Sequence, residues 1–129
     1  MNRENSGPAA FAVKIDNTSY GVRRVGVRGE VDISTNEVLS QALLGATVDG
    51  TPIVVDLTEC TFIDSSGVRA LLVGLQAHRE RDGNQPANGS FAIAACERQV
   101  RYVLETTGVD RAIPLHQSFE EAAGAVASG

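Results

Sequence analysis

The run Ile53–Leu57 constrains the fold more than any other stretch of this 129-residue chain. It is apolar except for Asp56, and it lacks the alternation of a strand that faces water on one side. Strands that read as continuous apolar runs are buried on both faces and belong to parallel sheets covered by helices. The segment that follows has apolar residues at helical spacing, namely Val68, Leu71, Leu72 and Leu75. The sequence therefore predicts a buried strand followed by a helix.

The rest of the chain shows the same alternation after an initial hairpin. Two alternating segments, Phe11–Asp16 and Tyr20–Arg28, flank turn-forming residues and predict an antiparallel pair. Capping boxes at Ser34 and Glu37 and at Ser118 and Glu121 each predict the start of a helix. Two more helices are predicted over 66–81 and over 97–107, and the second of these stops at Gly108. Strands are predicted over 90–95 and 112–116. We predict an α/β fold: a single mixed β-sheet, with an N-terminal hairpin and then parallel strands, and about four helices.

Composition narrows the classes of protein that the chain can represent. Residues 1–10 are polar and small and predict a flexible N-terminal tail, which leaves 11–129 as one domain. The net charge of −5 disfavours nucleic acid as a partner. A membrane span needs about 18 apolar residues, and the chain has no such run. The first residues also lack the apolar core of a signal peptide, so we expect a cytoplasmic protein. Two cysteines are too few for a disulfide-stapled secreted scaffold.

Candidate functional residues follow the predicted parallel strands. The junctions at 29–34, 59–67, 96–98 and 116–118 are expected at one edge of the sheet. Ser65 and Ser66 stand beside Asp64 at the start of a helix, where free backbone N–H groups favour a phosphate. Serine and aspartate are also common helix caps, and a cap residue can still accept a phosphate. Asp56 is expected to be structural, and His78 to face solvent.

Three stretches resemble the STAS-domain anti-anti-sigma factors, also called anti-sigma factor antagonists. They are Gly29-Glu30-Val31-Asp32, the segment from Val55-Asp56-Leu57 to Phe62-Ile63-Asp64-Ser65-Ser66-Gly67, and Thr106-Thr107-Gly108-Val109. The resemblance covers nearly the whole chain past residue 10 and implies the STAS fold. It also implies a partner, an anti-sigma factor with an ATP-binding kinase fold that phosphorylates Ser66 or, as the less favoured acceptor, Ser65. The unphosphorylated protein binds this partner and frees the sigma factor, and a phosphatase acting on the phosphoserine would restore binding.

This resemblance indicates a binding module rather than an enzyme, with no cofactor and no metal. The expected contact residues are Asp32, Asp64, Ser65, Ser66, Gly67 and Arg69. A serine hydrolase is disfavoured because the first glycine of G-x-S-x-G is missing, and no phosphate loop, dinucleotide fingerprint or metal-spaced cluster occurs in the sequence. One alternative remains open, a STAS scaffold subunit of a larger signalling assembly that takes no part in sigma-factor partner switching.

Cys60 and Cys96 allow two interpretations. They follow consecutive predicted strands, and neighbouring strands lie about 4.8 Å apart, within the reach of a disulfide. Such a bridge would join two segments of the edge that carries Ser66 and could act as a redox switch. The other interpretation is two reduced, half-buried cysteines that pack as small apolar residues.

Overall fold

The computed structural model describes residues 10–81 and 90–128 of the chain. Within them, one sheet has its strands in the order β1-β2-β3-β4-β5, namely β1 (Ala12–Asn17), β2 (Arg23–Val31), β3 (Ile53–Ile63), β4 (Phe91–Ala94) and β5 (Leu115–His116). β1 pairs antiparallel with β2, and every other neighbouring pair is parallel. The predicted single mixed sheet with an N-terminal hairpin is confirmed.

The described residues form five helices, where the sequence predicted about four. They are α1 (Asn36–Ala46), α2 (Ser65–Arg81), α3 (Arg98–Thr106), α4 (Val109–Ala112) and α5 (Phe119–Ser128). The additional helix, α4, has four residues, too few to show a helical period in the sequence. It follows Gly108, whose φ of 82° lies in the left-handed region that favours glycine. No helix in these ranges is long and apolar enough to cross a membrane.

The central strand β3 separates two apolar clusters. Successive strand residues point to opposite faces, so Val55 joins the larger cluster with Leu43, Leu71 and Leu104, while Val54 joins the smaller one. The smaller cluster is formed with α5, through residues such as Phe119 and Ala123. All five residues of Ile53–Leu57 are buried, which confirms the prediction that both faces of this strand are covered.

On the α5 side of the sheet, β1 and β2 border an open groove of about 430 Å³. Lys14, Arg24 and Arg28 line it, together with Asp56. The guanidinium of Arg24 lies 2.6 Å from the buried carboxylate of Asp56 and 4.5 Å from the centre of the Phe119 ring. Asp56 also accepts hydrogen bonds from the backbone and hydroxyl of Thr58, at 3.0 and 2.7 Å. Asp56 therefore has the structural environment that the sequence led us to expect.

His78 was expected to face solvent, and this expectation is wrong. Its side chain is fully buried, with Nε2 3.1 Å from the hydroxyl of Ser90 and its ring centre 5.5 Å from that of Phe91. The last turns of α2 thus pack against the start of β4. The expectation failed because the apolar residues at helical spacing end at Leu75 in the sequence. A histidine can be buried beyond that point only if its ring nitrogens are hydrogen-bonded, which the sequence does not show.

The two predicted capping boxes have different outcomes. The first is wrong: α1 begins at Asn36 with Thr35 as its N-cap, and Ser34 instead donates to Asp32. The second is right in part, since the hydroxyl of Ser118 accepts from the backbone of Glu121 at 3.1 Å. The carboxylate of Glu121 accepts from the backbone of Gln117 at 3.3 Å rather than from Ser118. Both motifs mark the region where a helix begins, but only the second forms one of the two hydrogen bonds of a capping box.

Candidate functional site

The carboxyl ends of β2 and β3 bring the two candidate loops together. Val31 pairs with Ile63 in the sheet, and the backbone N–H of Asp64 donates to the carbonyl of Val31 at 3.3 Å. Residues 32–35 and 64–69 therefore lie side by side, and we call them the serine edge. β4 ends earlier, because its last residue, Ala94, pairs with Asp56. This edge of the sheet is therefore stepped: β4 ends beside Asp56, whereas β2 and β3 continue to Val31 and Ile63. The junction after β4 begins beside the middle of β3 and not beside the serine edge.

Asp64 organises the start of α2 through one carboxylate oxygen. Oδ1 accepts from the backbone of Ser66 at 2.9 Å, from the backbone of Gly67 at 3.3 Å and from the hydroxyl of Ser66 at 2.6 Å. Asp64 is thus the cap of a helix whose first residues are the two serines. The hydroxyl of Ser66 is held by a strong acceptor before any partner arrives.

The two serines differ in accessibility. The side chain of Ser65 is exposed, and that of Ser66 is half-buried. A hydroxyl that donates to a carboxylate has an acceptor for its proton when it attacks an electrophile. The dipole at the start of α2 favours an anion at this position. The geometry at Ser66 is therefore compatible with transfer of a phosphoryl group to its oxygen.

Asp32 follows β2 as Asp64 follows β3, and its carboxylate also accepts from the backbone two residues further along the chain. Its Oδ1 accepts from the hydroxyl of Ser34 at 2.7 Å and from the backbone of Ser34 at 3.0 Å. These hydrogen bonds lower the pKa of the Asp32 carboxyl below its usual value. The hydroxyl of Thr35 accepts from the backbone of Asp32 at 2.9 Å and fixes the turn. Two carboxylates thus mark the serine edge, one at the end of each strand.

Gly67 allows α2 to lie close to the sheet. A Cβ atom at this position would be 2.5 Å from Cγ1 of Ile63 and 2.8 Å from Cγ1 of Val31. No side chain fits at those distances, so the first turn of α2 rests directly on β2 and β3. Arg69, the last residue of the serine edge, is exposed, unlike the buried Val68 and Ala70 on either side of it.

Sequence reasoning missed Ile33, which lies within the serine edge. Its side chain is 82% exposed, the largest exposure of any large apolar residue in the described ranges. Leu72 and Val73 on α2 are also exposed. Ile33 stands between Asp32 and Ser34, and an isolated isoleucine in a polar turn was a signal that could have revealed it. Apolar residues exposed among polar ones are typical of surfaces that bind another protein.

Gln99, at the start of α3, was also missed. Its side-chain amide donates to the carbonyl of Ile63 at 3.0 Å and accepts from the N–H of Ile63 at 3.1 Å. β4 does not extend far enough to pair with Ile63, because its last pair joins Ala94 to Asp56. The side-chain amide of Gln99 therefore makes the two backbone hydrogen bonds that a neighbouring strand would otherwise make. No local signal in the sequence marks this contact, because 36 residues separate the two partners.

The two cysteines are free thiols in different environments. Cys60 is buried, and its thiol contacts the carbonyl of Phe62 at 3.2 Å. Burial raises the pKa of the Cys60 thiol above its usual value. Cys96 is exposed, and its sulfur lies 3.6 Å from the carbonyl of Thr58. Cys96 lies beside Thr58 because β4 ends with Ala94 next to Asp56 on β3.

The serine edge combines two turns ordered by carboxylates, a serine hydroxyl held by Asp64 and an exposed isoleucine, all at the carboxyl end of an α/β sheet. Such features are typical of a surface that binds another protein. A family model described as "Mlab, STAS domain" matches residues 18–117. The chain belongs to the STAS-domain family, and the predicted resemblance is confirmed. Among curated proteins, no sequence relative matches the chain.

Solved structures of anti-sigma factor antagonists share this fold. One from Mycobacterium paratuberculosis is 26% identical, with a TM-score of 0.79 over 91% of this chain and 94% of that chain. The antagonist SpoIIAA in its unphosphorylated form is 20% identical, with a TM-score of 0.70 over 92% of this chain and 98% of that chain. The Bacillus protein SpoIIAA in its phosphorylated form is 20% identical, with a TM-score of 0.61 over 89% of this chain and 99% of that chain.

Proposed function

We propose that this protein is an anti-anti-sigma factor. It binds an anti-sigma factor with an ATP-binding kinase fold through the serine edge and so frees a sigma factor for transcription. The observation that carries the proposal is the hydroxyl of Ser66, held 2.6 Å from Asp64 at the start of α2. The contact surface comprises Asp32, Ile33, Asp64, Ser65, Ser66, Gly67 and Arg69. The protein acts by binding, without catalysis of its own, in the cytoplasm.

Phosphorylation of Ser66 is the proposed switch. The oxygen of Ser66 attacks the γ-phosphorus of ATP bound to the partner, ADP leaves, and the hydroxyl proton passes to Asp64 or to water. The phosphate adds nearly two negative charges at neutral pH, beside the carboxylate of Asp64. Because the start of a helix favours an anion, the fold persists while the contact surface is blocked. A phosphatase reverses the modification, and Ser65 is the less favoured acceptor.

One observation supports a phosphorylation switch, and a second supports a protein partner. The fold is shared with SpoIIAA, whose structures are described in unphosphorylated and phosphorylated forms. The net charge of −5 disfavours direct binding of nucleic acid and is consistent with action through a protein partner.

Ile33 provides a test that leaves the serines intact. An Ile33→Asp variant places a charge where an apolar side chain would be covered by the partner, and we expect at least a tenfold loss of affinity. Val48→Asp is a matched control, because Val48 is also exposed, at 54%, but follows the far end of α1. The full-length variants and the wild type serve as baits in a lysate of the source cell, with captured proteins identified by mass spectrometry.

The expected result is capture of an anti-sigma factor with a kinase fold by the wild type and by Val48→Asp, and poor capture by Ile33→Asp. Addition of ATP to the captured complex should then place phosphate on Ser66. Equal capture by all three baits would remove the serine edge from the interface. Recovery of a large assembly that contains no anti-sigma factor would favour the alternative role, a STAS scaffold subunit.

A disulfide between Cys60 and Cys96 is a second, slower switch in this proposal. The raised pKa of the Cys60 thiol reduces its thiolate fraction, and burial restricts oxidants, so bridge formation requires opening of the end of β3. We therefore expect phosphorylation to dominate. Oxidised glutathione can take the two electrons and two protons of the thiols and is released as two reduced molecules. Mass spectrometry after incubation with it should show the bridge only after hours, and partner affinity should then fall in the wild type but not in Cys60→Ser. Two free thiols after prolonged oxidation would eliminate the redox switch.

A further inference from the structure

The strand β1 lies at one edge of the sheet, and among the described residues half of its backbone groups have no partner. In the described parts of the chain it has a single neighbour, β2, and their register is regular along all six residues. The N–H of Thr18 donates to the carbonyl of Val22 at 3.0 Å, just beyond the last pair of that register. Hydrogen-bonded pairs alternate in antiparallel strands, so Asp16, Lys14 and Ala12 also bond toward β2. The N–H and C=O groups of Val13, Ile15 and Asn17 point away from the sheet.

Two opposite charges lie on the uncovered face of this strand. Lys14 and Asp16 are exposed, and both border the open groove. Lys14 lies across from Gly26, which has no side chain, and Asp16 lies across from Arg24, whose guanidinium is engaged by Asp56. Neither Lys14 nor Asp16 forms an ion pair with another described residue. Both charges are therefore available to a group that approaches the edge.

We propose that β1 pairs antiparallel with β1 of a second copy of this chain, about a two-fold axis at Ile15. The N–H of each Ile15 donates to the carbonyl of the other, and Val13 exchanges the same two bonds with Asn17 of the second copy. Lys14 then lies directly opposite Asp16 of the second copy, in a pair of the closer type, and symmetry repeats this contact. On the other face the two Ile15 side chains, each 43% exposed, meet.

Charge complementarity identifies the second copy as the occupant of this edge. Lys14 and Asp16 are two positions apart and lie symmetrically about Ile15. When two copies of β1 pair antiparallel about Ile15, each lysine faces the aspartate of the other copy. Opposite charges in directly facing positions stabilise antiparallel strands, and like charges destabilise them. Two devices that often prevent pairing at a sheet edge, a proline and a bulge, do not occur in β1.

The two-fold axis determines where the functional sites lie in the dimer. Two five-stranded sheets join into one continuous sheet, with the strands of the two copies running in opposite directions. The serine edges then face opposite ends of the assembly, and both remain accessible. A dimer of this kind can hold two partner molecules at once. Because a single strand edge is a small interface, self-association depends on protein concentration.

Charge exchange on the full-length protein tests the register. We expect sedimentation velocity to show wild-type chains passing from monomer to dimer between low micromolar and near-millimolar concentration. Lys14→Asp leaves only negative residues in the facing positions, and Asp16→Lys leaves only positive ones. Each single variant should weaken dimerisation about tenfold or more, because two attractive contacts become repulsive. The double variant K14D/D16K restores opposite charges and should dimerise like the wild type.

Three results would overturn the proposal. The first is a wild type that stays monomeric at every concentration. The second is a dimer that neither single variant weakens, which would place the interface elsewhere. The third is a double variant as weak as the single ones, which would contradict the facing of Lys14 and Asp16. The substituted side chains are exposed, and circular dichroism of each variant verifies the fold.

Discussion

Replacing Ser66 by glutamate is expected to weaken binding of the anti-sigma factor more than a hundredfold. A charge buried at an interface without a partner costs about 3–5 kcal/mol, and about 1.4 kcal/mol corresponds to a factor of ten. The carboxylate of Asp64 contacts the Ser66 hydroxyl at 2.6 Å and would repel the new charge. Calorimetric titration of the purified partner measures the loss, and circular dichroism verifies that the helix is retained.

Ser66→Ala is the matched variant for this experiment. It removes one hydroxyl, whose bond to the Asp64 carboxylate contributes about 1.5–3 kcal/mol to the fold of the free and the bound protein alike, and it leaves the backbone bonds from residues 66 and 67 to Asp64 in place. It should therefore bind within about tenfold of the wild type, and it should resist inactivation by ATP. Equal affinities of the glutamate and alanine variants would contradict a blocking mechanism. Phosphate on Ser65 would move the acceptor by one residue and leave the surface unchanged.

Replacing Gly67 by alanine is expected to lower the free energy of unfolding by about 1–3 kcal/mol, near the upper end of that range. The new methyl group would stand 2.5 Å from Ile63 and 2.8 Å from Val31, so the first turn of α2 must move away from the sheet. That movement also displaces Ser65 and Ser66, and partner affinity should fall with stability. Urea denaturation monitored by circular dichroism measures the change.

Gly45 supplies the control for Gly67. It also lies in a helix, α1, but a Cβ atom there would meet no other atom within 4 Å. Alanine favours a helix over glycine by up to about 1 kcal/mol, so Gly45→Ala should raise the stability. Opposite signs for the two substitutions would identify close packing as the role of Gly67. An unchanged denaturation midpoint for Gly67→Ala would show that α2 can shift without cost.

The sequence predicted the order of the elements better than their extents. β3 was predicted over Ile53–Leu57 and continues to Ile63. Its second half contains polar residues because β4 no longer covers one side of it, and its register with β2 shifts twice. A strand that is buried in one half and irregular in the other has no single period to detect.

Within the site, local residues could be predicted and distant contacts could not. The Asp-Ser-Ser-Gly stretch identifies the start of a helix because its carboxylate accepts from the backbone N–H groups of the next residues. The contact of Gln99 with Ile63 depends on where β4 stops, and that limit is a property of the whole sheet. The burial of His78 likewise depends on a hydrogen-bond partner, Ser90, that lies outside its own helix, just before β4.

The two hydrogen bonds between the Gln99 amide and Ile63 affect the entropy that is lost when a partner binds the serine edge. These two hydrogen bonds fix the last residue of β3, and the next residue, Asp64, fixes the start of α2 through one oxygen. A loop ordered before contact loses little conformational freedom when a partner binds, so more of the contact energy remains as affinity. Complex formation by a surface of this kind is set by diffusional encounter and orientation, without a slow folding step in the loop.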